Sequence, residues 1–188
     1  MADFSIISDI SNEVLKVLRN NISPELIQSS ESIALATPND KNADFQVGLY
    51  LYDIQELREY RQMNPIWLKG GKSQYPPKPL TLYYMLYVNM KSQLISNPEN
   101  EQRILGRTLQ ILMDNTILYD IAGEEETASI TILPLSLEEK TKIWSALSVP
   151  YQLGIYFSVS PVLLSSRRIQ SYQRVIAAEF DVIQPSRR

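Results

Sequence analysis

YPPKPLTLYYMLYV, residues 75–88, carries the fold in outline. Beyond its three prolines the chain alternates. Leu80, Leu82, Tyr84, Leu86, Val88 and Met90 fall on one side of an extended backbone, and Thr81, Tyr83, Met85, Tyr87 and Asn89 on the other. A period of two with one aliphatic side predicts a half-buried strand over residues 80–90. The prolines ahead of it fix φ and favour an extended approach.

Working outward, residues 45–53 repeat the scheme. Phe45, Val47, Leu49 and Leu51 alternate with Gln46, Gly48, Tyr50 and Tyr52. TPNDKNAD, residues 37–44, reads as the turn before that strand, with a weaker strand at residues 33–36. In YQLGIYFSVSPV, residues 151–162, the apolar positions Tyr151, Leu153, Ile155, Phe157 and Val159 alternate with small or polar ones, Tyr156 among them. Tyr172, Ile176, Ala178, Phe180 and Val182 suggest a final strand, and residues 128–133 a short one.

Helices fill the gaps. Ile7, Ile10, Val14, Val17 and Leu18 make one apolar face over residues 4–19. Asn97-Pro98-Glu99 is a helix start: a capping Asn, Pro at the first position, then an acid at the positive end of the dipole. SLEE, residues 136–139, is a capping box opening a helix through Trp144. Residues 54–79 are the least regular part and read as a strand continuation followed by a long excursion. The sum is an α+β fold: a two-layer sandwich of a mixed or antiparallel twisted sheet with about three helices on one face. It is read as one domain over residues 1–188, with an exposed basic tail at 184–188.

Composition narrows the function. The 188 residues are 44% hydrophobic and 21% charged, the balance of a globular chain, with net charge −3. No basic stripe is present, so nucleic acid is not the expected partner. The sequence has no His and no Cys. That removes the commonest general base, disulfides and ordinary structural zinc. The first residues lack a basic n-region, and no apolar run reaches the ~20 residues of a membrane-spanning helix. No membrane insertion, cofactor or small-molecule substrate is expected, and an enzyme is the weakest reading.

The motifs that might carry chemistry are weak. Gly70-Gly71-Lys72-Ser73 resembles a scrap of phosphate loop, but Ile66 stands where that pattern needs Gly, and no helix pattern follows. A Gly-rich turn is the simpler reading. Glu124-Glu125-Glu126 reads as a solvated turn, and Trp144, beside Ile143 and Leu147, as core. Trp67, in the excursion, reads as an exposed or partner-buried aromatic. The chain has 11 Tyr against 4 Phe. Tyr50, Tyr52, Tyr83, Tyr87 and Tyr156 all fall on the sheet face that the helices are expected to leave bare. That face reads as an interface first, and as plain surface, or surface covered by the excursion, second. Arg167-Arg168 adds a short basic pair suited to acidic protein surfaces, or simply to solvent.

Three stretches together resemble the tail-terminator, or cap, family of contractile injection systems, which are phage-tail-like particles. They are YPPKPLTLYYMLYV, then ILGRTLQILMDNTIL (residues 104–118), then LPLSLEEKTKIWSALSVPYQLGIYFSVSPVLLSS (residues 133–166). The likeness runs from about residue 5 to 183. It implies a small sheet with packed helices and a hexameric ring at the baseplate-distal end of the particle. Such a ring seats on the inner tube, contacts the sheath and ends both; some relatives carry a further C-terminal region. The implied partners are further copies of the chain, tube protein and sheath protein. The implied location is the bacterial cytoplasm during assembly, then the particle. On this reading Pro76 and Pro77 stiffen the approach to an interface strand, and the tyrosine face, Trp67, Arg167 and Arg168 supply contacts. A neck or baseplate adaptor, or an assembly chaperone, is the alternative.

Overall fold

A computed structural model of the chain describes residues 4–22, 26–27, 29–40, 44–57, 64–68, 70–89, 97–119, 121 and 127–171. The secondary structure runs α1 (Ile6–Asn21), β1 (Ile33–Leu35), β2 (Val47–Glu56), β3 (Ile66–Leu68), β4 (Lys72–Gln74), β5 (Lys78–Val88), α2 (Pro98–Asp114), β6 (Ile117–Leu118), β7 (Ala128–Ile132), α3 (Leu137–Ala146), β8 (Gly154–Leu164) and β9 (Ile169–Ser171). Six strands form one sheet in the order β1-β2-β5-β8-β7-β6. Only β1 and β2 pair in parallel; every other pairing in that sheet is antiparallel. The expected mixed α+β sheet is therefore present.

The aliphatic side of β5 forms the main core. Leu82, Tyr84, Leu86 and Val88 meet Val47 and Leu49 of β2 and Ile155, Phe157 and Val159 of β8. Over them lie Ile6, Ile10, Val14 and Leu18 of α1 and Ile104, Leu105, Ile111 and Leu112 of α2. Tyr84 belongs to this core despite its hydroxyl. Its ring stacks on Phe157 with centroids 5.4 Å apart, and its OH meets Ser11 Oγ at 2.9 Å. Burial pushes the Tyr84 pKa up to about 12, with the Ser11 hydrogen bond acting against that rise. Asn97 caps α2 as expected, its side chain accepting from Asn100 N at 2.8 Å.

One expectation about layering is overturned. The helices do not all lie on one face: α3 covers the opposite, tyrosine side. Its Trp144 is 1% exposed and packs with Met85, Tyr87 and Tyr156. The physical reason is the size of that face. Tyr87 and Tyr156 present more apolar surface than solvent tolerates cheaply, and one short helix with a single large ring suffices to close it. Phe45 also departs from the alternation. It precedes β2 and packs on the tyrosine side with Tyr87, not with Val47 and Leu49.

The excursion is not structureless. Residues 66–74 form a hairpin of β3 and β4 turning at Gly70 and Gly71, whose φ values of 81° and 70° suit glycine. β9 pairs with β4, giving a second, three-stranded sheet in the order β3-β4-β9. A strand, not a helix, follows the glycines, so the Gly-rich turn holds and the phosphate loop does not. The expected strand around Tyr172 to Val182, the tail 184–188 and Glu124–Glu126 lie outside the described residues.

Candidate protein interface

The ten residues singled out in the sequence fall into two groups. One lies under or beside α3; the other belongs to the three-stranded sheet and its junction with the main sheet.

In the first group Tyr87 sits between two glycines. It pairs with Gly48 on β2 and with Gly154 on β8. A Cβ on Gly48 would lie 2.3 Å from the Tyr87 ring, so the missing side chain is the space that ring occupies. Trp144 closes over it edge-on, with centroids 5.8 Å apart, and Phe45 does the same from the other side at 6.1 Å. The Tyr87 OH donates to Ala36 O at 3.3 Å. Burial raises its pKa far above the ordinary value. Trp144 Nε1 donates to Tyr156 OH at 2.8 Å, satisfying a donor that burial would otherwise leave unpaired. Lys140 lies over the Tyr156 ring at 5.6 Å.

Tyr87 and Tyr156 are thus each 2% exposed and are not open interface residues, contrary to expectation. The reason is α3, placed on their side of the sheet. Tyr50, Tyr52 and Tyr83 are only half-buried. Tyr52 lies at a register shift of β2 against β5, where Leu51 pairs with Tyr84 and Asp53 with Tyr83. This bulge lets its ring reach Tyr83 at 6.1 Å and Tyr156 at 6.2 Å. Desolvation and neighbouring Tyr83 push the Tyr52 pKa up to about 12. Tyr50 lines a groove of about 530 Å³ with Phe4, Ile7, Leu35 and Leu51, between the start of α1 and the β1 edge.

The second group is built differently. β4 and β9 continue the β5–β8 pairing beyond the prolines: Lys78 pairs with Leu164, and Gln74 with Ile169. Pro76 and Pro77 have no N–H to give to the ladder, so it breaks between the two sheets. Tyr75 N donates to Arg168 O at 3.0 Å just across that break, and the Gln74 side-chain amide donates to Ser166 O. Pro76 and Pro77 therefore form the elbow from which a β-ribbon extends. Trp67 on that ribbon is 69% exposed, and Ile169 is exposed as well. Arg168 stands 4.6 Å over the Tyr75 ring and Arg167 5.7 Å over Phe4. Both arginines stay exposed.

The structure thus separates the predicted residues into an aromatic layer, closed at Tyr87 and Tyr156 and half-buried at Tyr50, Tyr52 and Tyr83, and an open basic ribbon. Sequence reasoning missed a further exposed set at one edge of the main sheet. Met113, Ile117 and Tyr119 stand out around β6, the last strand on that side among the described residues. The two-residue length of β6 hid it from any periodicity.

Among the described residues there is no group of three or more His, Cys, Asp or Glu side chains positioned for a metal, and no helix long and apolar enough to cross a membrane. The family model for the Pvc16 N-terminal domain matches residues 9–178, most of the chain. Two solved structures share the fold. One is the sheath/tube terminator of an extracellular contractile injection system, PVC, in its extended state: TM-score 0.66, 21% identity, covering 99% of this chain and 66% of that one. The other is the tube-terminating cap of the anti-feeding prophage: TM-score 0.64, 20% identity, covering 92% of this chain and 60% of that one. The chain therefore spans somewhat under two thirds of the length of either structure. No curated protein matches it.

Proposed function

The chain belongs to the Pvc16 N-terminal domain family, and we propose that it is a terminator subunit of a contractile injection system. In this reading copies of the chain form a ring, expected to be hexameric, that ends the inner tube and joins it to the sheath. The single observation that supports it most is the family match over residues 9–178, running through a fold shared with a sheath/tube terminator. The role is structural, not catalytic. A sequence without His or Cys offers few of the usual nucleophiles and bases, and the ordered aromatic layer serves packing. The unit proposed is one domain whose β-ribbon and exposed edges meet neighbours, assembled in the bacterial cytoplasm and retained in the particle.

A closed ring requires two different surfaces on each subunit, because each copy meets its neighbours head to tail. The basic ribbon and the β6 edge are two such surfaces. The test is the mass of the purified chain by light scattering, alone and with tube protein, together with co-sedimentation on assembled tubes. A hexamer in either condition, captured at tube ends, is the expected result. A monomer that ignores tubes but binds baseplate or spike protein overturns the reading in favour of an adaptor. Absence from purified particles points instead to an assembly chaperone.

A further inference from the structure

Charge in this chain is segregated along the sequence. Between Glu59 and Glu99, and again between Glu139 and Glu179, every charged residue is Lys or Arg. Between Arg107 and Lys140 every charged residue is Asp or Glu. Both basic stretches feed the ribbon: β3 and β4 come from the first and β9 from the second. The acidic stretch holds the end of α2, β6, β7 and the first turn of α3.

The blocks meet on α3, where Lys142 pairs with Glu138 at 2.7 Å; two other surfaces each draw on one block and also carry exposed apolar side chains. The ribbon presents Lys72, Arg167 and Arg168 with Trp67 and Ile169. The β6 edge presents Asp114 with Met113, Ile117 and Tyr119. Beside β6 lies a cleft of about 300 Å³, lined among others by Glu13, Asp114, Ile117 and Tyr119. Glu13 is engaged by Lys16 at 3.1 Å, which leaves Asp114 as the cleft's main anionic contact for an incoming cation. A carboxylate beside a tyrosine ring suits a guanidinium, which can pair with one and stack on the other.

We propose that the basic ribbon of one copy docks on the acidic β6 edge of a second copy, with an arginine of the 167–168 pair entering the cleft beside Asp114. The contact is heterologous, so it propagates from copy to copy, as a ring of subunits requires. It rests on the terminator reading, for which it supplies the two complementary surfaces. Opposite charge steers the copies together and fixes register, while Trp67, Ile169, Ile117 and Tyr119 provide the apolar area.

Two variants of the full chain test it: the ribbon variant Arg167→Glu/Arg168→Glu, and the edge variant Asp114→Lys. All three altered positions are exposed, and circular dichroism checks that both variants fold. Light scattering, alone and with tube protein, reads copy–copy association; tube co-sedimentation is read separately. Each variant alone should associate ~tenfold or more weakly than the parent chain, with the parent weakened by high salt. An equimolar mixture of the two should regain association, since the reversed ribbon then faces the reversed edge and the native ribbon the native edge. A mixture that stays dissociated, variants that associate like the parent, or a parent chain that remains one copy in every condition overturns the docking. If tube capture persists through any of these, the terminator reading survives the loss. If the parent chain is not captured by tubes at all, that reading falls with it.

Discussion

Tyr87 and Trp67 both lie on strands beside small or polar neighbours, yet Tyr87 is buried and Trp67 is 69% exposed. The difference is a second layer. Over Tyr87 the chain returns as α3 and sets Trp144 on its ring, while Gly48 leaves room beneath. The ribbon has three strands of three residues each and, among the described residues, no helix over it. A single-layer sheet of that size cannot bury a tryptophan by itself. The same residue class therefore stabilises the fold in one region and lies mostly in water in the other.

The largest expected effect separates the two regions most sharply. Trp144→Ala removes the side chain that closes the tyrosine face and the donor to Tyr156 OH. It should cost about 3–5 kcal/mol in chemical denaturation. A loss below about 1 kcal/mol would mean that α3 rests on the sheet without holding it, and the contrast with the ribbon would disappear. Gly48→Ala follows. Its Cβ would meet the Tyr87 ring at 2.3 Å, and the displaced ring must push on Trp144. A cost of about 1–3 kcal/mol is expected. Combining it with Tyr87→Leu should recover part of that loss, because the clash is with the ring. No recovery would place the strain in the backbone.

Much of this arrangement was legible in the sequence. Alternation over residues 80–90 located β5 and assigned Tyr84 to the aliphatic side, and the Ser136–Glu139 spacing announced α3. What alternation cannot give is the side of the sheet on which a helix lands. Only Trp144 is buried in α3, so its apolar pattern was too thin to show how much surface it covers. The hairpin of β3 and β4 was missed for a related reason. Its signal is Gly70-Gly71 between two three-residue runs, and one of those runs, Lys-Ser-Gln, has no apolar residue. β9 depends on a register with β4 set almost a hundred residues earlier in the chain, which local pattern does not encode. For the interface, Trp67 and the Arg167–Arg168 pair were visible as unusual residues. The β6 edge was not, because exposed Ile117 and Tyr119 look like any short apolar run until the strand order puts them at an edge.

A smaller effect tests how α3 is held in place. Ser136 Oγ and Ser136 N both bond Glu139 Oε2, at 2.7 and 2.8 Å, and Ser136 Oγ accepts from Glu139 N. Ser136→Ala should cost about 1 kcal/mol. The Ser136 hydroxyl, then the Ser136 backbone N–H, hold the Glu139 pKa below 4.5. A lowered folded-state pKa gives stability that is present above the unfolded value and is lost as pH falls through the folded one. The gap between parent and Ser136→Ala should therefore be full at neutral pH and narrow as the solution is acidified below 4.5. A gap that stays constant with pH would assign the loss to the hydroxyl's bond with Glu139 N alone.

The smallest expected effect on folding belongs to the other region. Trp67→Ala removes a ring that is mostly in water, so the isolated chain should change stability by less than about 0.5 kcal/mol. A loss comparable to that of Trp144→Ala would show that the ribbon is part of the core and that the two regions do not differ in kind. The same variant should weaken association between copies, because a large aromatic at a contact carries a disproportionate share of binding. Stability and association thus move independently for Trp67 and together for Trp144, whose loss undoes the fold before any contact forms. That separation is the physical content of the contrast: an aromatic closed in by its own chain stabilises the monomer, and one lying mostly in water on the ribbon is expected to count most in the proposed contact between copies.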